Sequence, residues 1–306
     1  MKGENGGASD RGGPVFRIRA ARPGDREEVL RFSRNTWEWG DYLHLVWDRW
    51  FHEPEGKLLV GAVGKRPVAA GHVVIAAPGE AWLEGLRVNP AYRLSGVATR
   101  MTQRCIEEAR KMGAKVARFA TVATNEPVHR VADRLGFGRV ASYQPLEADG
   151  LPGSADASRP SADSLSAVLA FLAGSPALSA TNGLYSTGWR FHRLTVSKVK
   201  DCLEKGMVRM VKGSAPIAAL SILEPGYDGQ GLAVSYADGE HDRLVELAAA
   251  LRYEALSGAS HRISARLPEH TAAHDAFVKA GFTVLDPGPF WIYELSLKPG
   301  PSSSET

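Results

Sequence analysis

The stretch WLEGLRVNPAYRLSGVA, residues 82–98, decides how this chain is read. Its first part closes a strand-like run, 81–88, that Asn89 and Pro90 stop. Gly96 then opens a long helix, about 96–112, in which Val97, Met101, Cys105 and Ala109 recur every four residues and Gly113 marks the stop. A strand that turns briefly into a helix N-terminus leaves backbone N–H groups unpaired there, and with the helix dipole they make an anion site. Gly96 and the small Ala98 let that backbone approach a phosphate closely, and Arg93, Arg100 and Arg104 add positive charge near the same end.

Working outward, residues 15–20 alternate as a half-buried strand, and Asp25 followed by Glu28 starts a helix. A second helical stretch, 41–52, is rich in aromatic residues. The apolar runs 58–63 and 67–76 are separated by hairpin punctuation. Residues 116–122 read as a strand. Asn125 caps a helix with Pro127 in its first turn, an apolar stripe of Val128, Val131, Ala132 and Leu135, and Gly136 at its end; 137–143 return as a strand. Residues 147–163, rich in Gly, Pro, Ser and Ala, read as a linker, and a helix follows at 164–173. HRVADRLGF at 129–137 is echoed by HDAFVKAGF at 274–282, and each follows a strand, 116–122 and 261–267, which points to a duplicated mixed α/β unit.

The chain has 306 residues, of which 44% are hydrophobic and 23% charged, the balance of a soluble globular protein of two domains. A net charge of +3 is no footprint for nucleic acid. No apolar run approaches the ~20 residues of a spanning helix. Two cysteines, Cys105 and Cys202, form no staple framework and fit a reducing, cytoplasmic setting. The nine histidines show no paired ligand spacing, so no metal is expected. Residues 1–13 and 299–306 read as flexible tails.

The segment Arg93-Leu94-Ser95-Gly96-Val97-Ala98 resembles the acyl-CoA loop of the GNAT acetyltransferase superfamily, Arg/Gln-x-x-Gly-x-Gly/Ala. The Asn125 to Gly136-Phe137 segment is similar to a second family pattern, Asn-x-x-Ala-x-x-x-Tyr-x-x-x-Gly-Phe, at both ends. Glu84-Gly85-Leu86-Arg87-Val88, the aromatic helix and the second half resemble a narrower group, the tandem-GNAT proteins that include the vertebrate histidine N-acetyltransferase. The resemblance implies two tandem GNAT-like domains, each a mixed, mostly antiparallel sheet flanked by helices. The catalytic one spans 14–146, and a degenerate one spans 164–298. It also implies acetyl-CoA as co-substrate, its pyrophosphate on the loop from Arg93 through Thr99. The pantetheine would pair with the strand at Leu86, Arg87 and Val88, and Asn125 would face the CoA arm.

An amine acceptor must lose a proton before it attacks a thioester. Glu84, an acid that alternation places with Trp82, Leu86 and Val88, is the expected base, and His72 on the neighbouring strand competes with it. The family's thiolate-protonating tyrosine falls at Ala132, so His129 and Tyr143 become candidate acids, or the thiolate leaves unaided. Trp37, Glu38, Trp39, Asp41 and Tyr42 lie where the family builds its acceptor wall, while Trp47 and Trp50 read as packing and Cys105 as a packed thiol. Residues 235–243 of the second half lack the loop and carry Asp238, Glu240 and Asp242. That half is therefore expected to bind no CoA and to help close the acceptor site.

The expected activity is transfer of an acetyl group to the amine of a small molecule, with an amino acid as one acceptor. The alternatives are a protein lysine or N-terminal acetyltransferase and a non-catalytic acyl-CoA sensor. Phosphoryl transfer lacks its Gly-x-x-x-x-Gly-Lys-Ser/Thr loop.

Overall fold

The computed structural model describes residues 15–37, 40–153, 157–226, 231–258 and 261–297. The expected tails at 1–13 and 299–306 lie outside the described residues. The described chain falls into two compact units. One comprises the residues up to Val74 with Leu83–Gly113, and the other Ile75–Trp82 with the residues from Ala114 on.

The first unit holds β1 (Phe16–Ala20), α1 (Arg26–Ser33), α2 (Leu43–Phe51), β2 (Gly56–Val63), most of β3 (Arg66–Ala77), the later residues of β4 (Glu80–Val88) and α3 (Val97–Lys111). β1 and β3 both run antiparallel to β2. Residues 58–62 of β2 are buried without a break because the strand is covered on both faces. Leu58 and Val60, with Ala70 of β3, pack under Val29 of α1 and Leu43, Val46, Trp47 and Trp50 of α2. On the opposite face, a Cβ at Gly61 or Gly71 would meet Met101 of α3, so the helix lies close to the sheet. The register pairs His72 with Leu58, and alternation then puts the imidazole on the α1–α2 face.

The second unit takes in Glu80–Trp82 of β4, then β5 (Val116–Val122), α4 (Glu126–Leu135), β6 (Gly138–Asp149), α5 (Leu165–Ala173), α6 (Pro176–Ala180), β7 (Leu184–Thr187), β8 (Arg190–Arg193) and α7 (Val196–Glu204). It continues with β9 (Val208–Val211), β10 (Ala219–Pro225), β11 (Leu232–Gly239), α8 (His241–Ala255), β12 (Arg262–Pro268), α9 (Ala272–Lys279), β13 (Thr283–Val284) and β14 (Phe290–Ser296). Its strand order is β4-β5-β14-β6-β12-β11-β10-β9, with β13 against β6 and β7–β8 a separate hairpin. Glu147, Ala148 and Asp149, which composition assigns to the linker, are the last residues of β6 and pair with β12.

The duplicated order is visible in this unit. β4 runs parallel to β5 over Glu80–Trp82, and β11 runs parallel to β12 over Leu232–Val234. α4 and α9 end alike: a left-handed glycine, Gly136 or Gly281, is followed by a buried Phe137 or Phe282 whose N–H returns to the helix. The sequence echo is therefore a helix stop with a core anchor. Each half's last strand is exchanged: β6 pairs with β12, and β14 pairs with β5. Among the described residues no helix is long and apolar enough to cross a membrane.

Candidate active site

Gly85 sits in β4 at φ +67°, and a Cβ there would lie 2.4 Å from the Trp50 ring. The bend lets Trp50 reach across β4, and its indole stacks on the His72 imidazole, with centroids 4.8 Å apart and planes at 4°. His72 is wholly buried. Its Nδ1 lies 3.0 Å from Oε1 of Glu84, which is half-buried on β4. Its Nε2 makes no hydrogen bond and faces Oε2 of Glu53 at 3.6 Å. The two candidate bases are thus in contact. Glu53, from the loop after α2, joins them unannounced by any sequence motif.

Arg87, expected along the pantetheine, turns its side chain elsewhere. Nε reaches Oδ2 of Asp41 at 2.5 Å, and the guanidinium lies over Tyr42 and Trp37 at 5.1 and 6.0 Å. Asp41 also accepts from the Leu43 N–H at 2.8 Å. Its charge is therefore balanced by Arg87. Glu38 and Trp39 lie outside the described residues. Trp47 and Trp50 belong to the core, as packing residues would.

The loop expected to hold a phosphate is built at the start of α3. Leu94 and Gly96 take left-handed φ of +62° and +77°, and Ser95 Oγ donates to the Tyr92 carbonyl at 2.6 Å. Arg93, Leu94 and Ser95 are exposed. α3 has no side-chain cap, and its first backbone bond is Arg100 N–H to the Gly96 carbonyl at 3.1 Å. The amides of the first turn, Val97 through Thr99, point along the helix axis toward its N-terminal end. Arg104 is not part of the loop's charge: it pairs with Glu108 at 2.8 Å. Arg100 lies over the Phe16 ring at 4.3 Å.

Asn125 precedes α4 without capping it through its side chain, and its amide donates to Thr121 Oγ1 at 3.0 Å. Both candidate acids are engaged in hydrogen bonds. His129 is bonded at both nitrogens, Nε2 to the Ala123 carbonyl and Nδ1 to the Tyr293 hydroxyl, each at 3.0 Å. Tyr143 is 1% exposed, donates to the Leu184 carbonyl at 2.7 Å, and burial pushes its hydroxyl up. Cys105 is a buried thiol pushed up to about 12, mainly by desolvation.

In the second half β11 runs into α8 with only Glu240 between them. Asp238 faces inward, bonded to the Ala177 N–H at 3.0 Å and to Ser175 Oγ, so it fixes the start of α6 rather than lining a turn.

One ligand atom each from Glu53, His72 and Glu84 lie within 4.8 Å of one another, a set with the donors for a divalent cation. Histidine spacing could not reveal it, since the three come from a loop and two strands.

The acetyltransferase (GNAT) family model matches residues 26–137. No curated protein matches the chain. Among solved structures, a candidate acetyltransferase from Thermoplasma acidophilum is 21% identical, covers 92% of this chain and 100% of its own, and has a TM-score of 0.58. A GCN5-related N-acetyltransferase from Sphaerobacter thermophilus is 13% identical over 93% of this chain and 96% of its own, at TM-score 0.60. A candidate acetyltransferase from Pyrococcus horikoshii is 12% identical over 97% and 93%, at 0.54. At these identities the likeness is one of fold, and it runs over nearly the whole of each chain.

Proposed function

We propose, from the match of residues 26–137 to the GNAT acetyltransferase family model, that the chain is an acetyl-CoA-dependent N-acetyltransferase acting on the amine of a small molecule. The observation that carries the proposal is Glu84, a half-buried carboxylate held by a buried imidazole on the strand that leads into the exposed loop before α3. Glu84 takes a proton from the acceptor's ammonium group. The freed amine attacks the thioester carbonyl, and the tetrahedral intermediate collapses with CoA thiolate as leaving group. The engagement of His129 and Tyr143 supports a thiolate that leaves unaided.

The resemblance to the tandem group favours an amino acid as acceptor and a second half without CoA. The repeated parallel strand pair and the repeated glycine helix stop support the domain reading, a catalytic 14–146 and a degenerate 164–298.

The test is free-thiol release from acetyl-CoA against amino acids, polyamines and peptides, run beside Glu84→Gln. One small amine should drive release, and the variant should lose on the order of 10²-fold or more. Release that survives Glu84→Gln removes Glu84 as base. Release driven by peptides alone moves the proposal to a protein acceptor, and acetyl-CoA binding without release moves it to a sensor.

A further inference from the structure

We propose that Glu53 is a positioning residue of this site, acting through His72 to hold Glu84 in place. The inference rests on the reading of Glu84 as the residue that takes the acceptor's proton. His72 stands on an apolar sheet face among Leu58, Val60 and Ala70, where an imidazole with unmet polar atoms is costly. Its two nitrogens address one carboxylate each, Nδ1 to Glu84 at 3.0 Å and Nε2 to Glu53 at 3.6 Å.

The ring is pinned in that orientation. Trp50 covers one face at 4.8 Å, and a Cβ at Gly56 would fall 2.6 Å from Nε2, so the backbone of β2 closes on the ring's outer edge. Gly56 is extended here, and what its missing side chain provides is room.

Among the charged groups of the neighbouring elements, Arg87 pairs with Asp41 on β4, Asp48 of α2 with Arg26, and Lys57 of β2 with Glu108. Cys105 of α3 faces the other side of the sheet, near Gly71. His52 turns Nδ1 to the Asp48 carbonyl. Glu53 lies between exposed residues, His52 and Pro54, so its replacement leaves the core intact.

The experiment compares wild type, Glu53→Gln, His72→Gln and the double variant by thiol release across pH, alongside ¹⁵N NMR of the histidine rings without substrate. Glu53→Gln should lower kcat/KM on the order of tenfold and leave the KM for acetyl-CoA unchanged. It should add little once His72 is replaced. Equal rates for Glu53→Gln and wild type overturn the inference, as do losses that simply multiply in the double variant. Loss of activity on dialysis against a chelator, restored by zinc, also overturns it in favour of a metal site. The NMR arm does not depend on the acceptor: Glu53→Gln must shift the His72 ring signals, and unmoved signals refute the coupling. A shift without thiol release by wild type points instead to failure of the acetyltransferase reading.

Discussion

The Arg87 guanidinium and the Asp41 carboxylate meet at 2.5 Å, Nε to Oδ2, with both side chains almost wholly buried. Asp41 also ties down the first turn of α2 through the Leu43 N–H. Removing one charge leaves the other buried and alone, which costs far more than the pair contributes. Asp41→Asn should therefore destabilise the protein by about 3 kcal/mol. The double variant Asp41→Asn, Arg87→Met should recover a large part of that loss in urea unfolding. Additive losses would show that the two side chains act independently.

That pair also marks the limit of what the sequence made legible. Alternation along β4 already separates Arg87 from Glu84, yet nothing local says that Asp41, far back in the chain, completes the charge. The helix at 96–112 and its glycine stop were readable because period and punctuation are local. So was the 129–137 echo, which turns out to be a helix terminator and a core phenylalanine. The exchange of β6 and β14 was not, because a strand's pattern encodes which face is buried and not which strand lies beside it. Glu53 escaped for the same reason, since its only trace is that a histidine on an apolar strand face requires a partner.

Gly85 is held at φ +67° against Trp50, so Gly85→Ala should be strongly destabilising, by about 2 kcal/mol or more from backbone strain and overpacking together. The displaced indole should also lose its place over His72. Tryptophan fluorescence and thermal unfolding would register both effects. An alanine variant that melts like the wild type would mean that the bend at Gly85 is not required.

Glu108 gives a prediction for acid. Burial alone would raise its carboxyl, but hydrogen bonds from Lys57 and Lys111 prevail and hold it down to about 2, against the usual 4.5. A carboxyl depressed on folding stabilises the native state above its unfolded value and loses that contribution as protons bind. Stability should thus be complete above pH 4.5 and fall as pH drops toward 2. Glu108→Gln should be less stable at neutral pH and show a flatter profile through that window. Parallel urea midpoints for the two proteins from pH 5 to 2 would contradict the linkage.

Ala132 occupies the place where the family carries its acid, and restoring the tyrosine should not restore an acid. The Ala132 side chain is fully buried on α4, one turn from His129, whose nitrogens are both engaged. A phenol there must displace packed atoms, at a cost of about 1–3 kcal/mol or more for overpacking. Ala132→Tyr should therefore lower the melting temperature without raising the rate of thiol release. A faster enzyme with an unchanged melting temperature would show that the site has room for the missing hydroxyl, and that departure of the thiolate limits turnover.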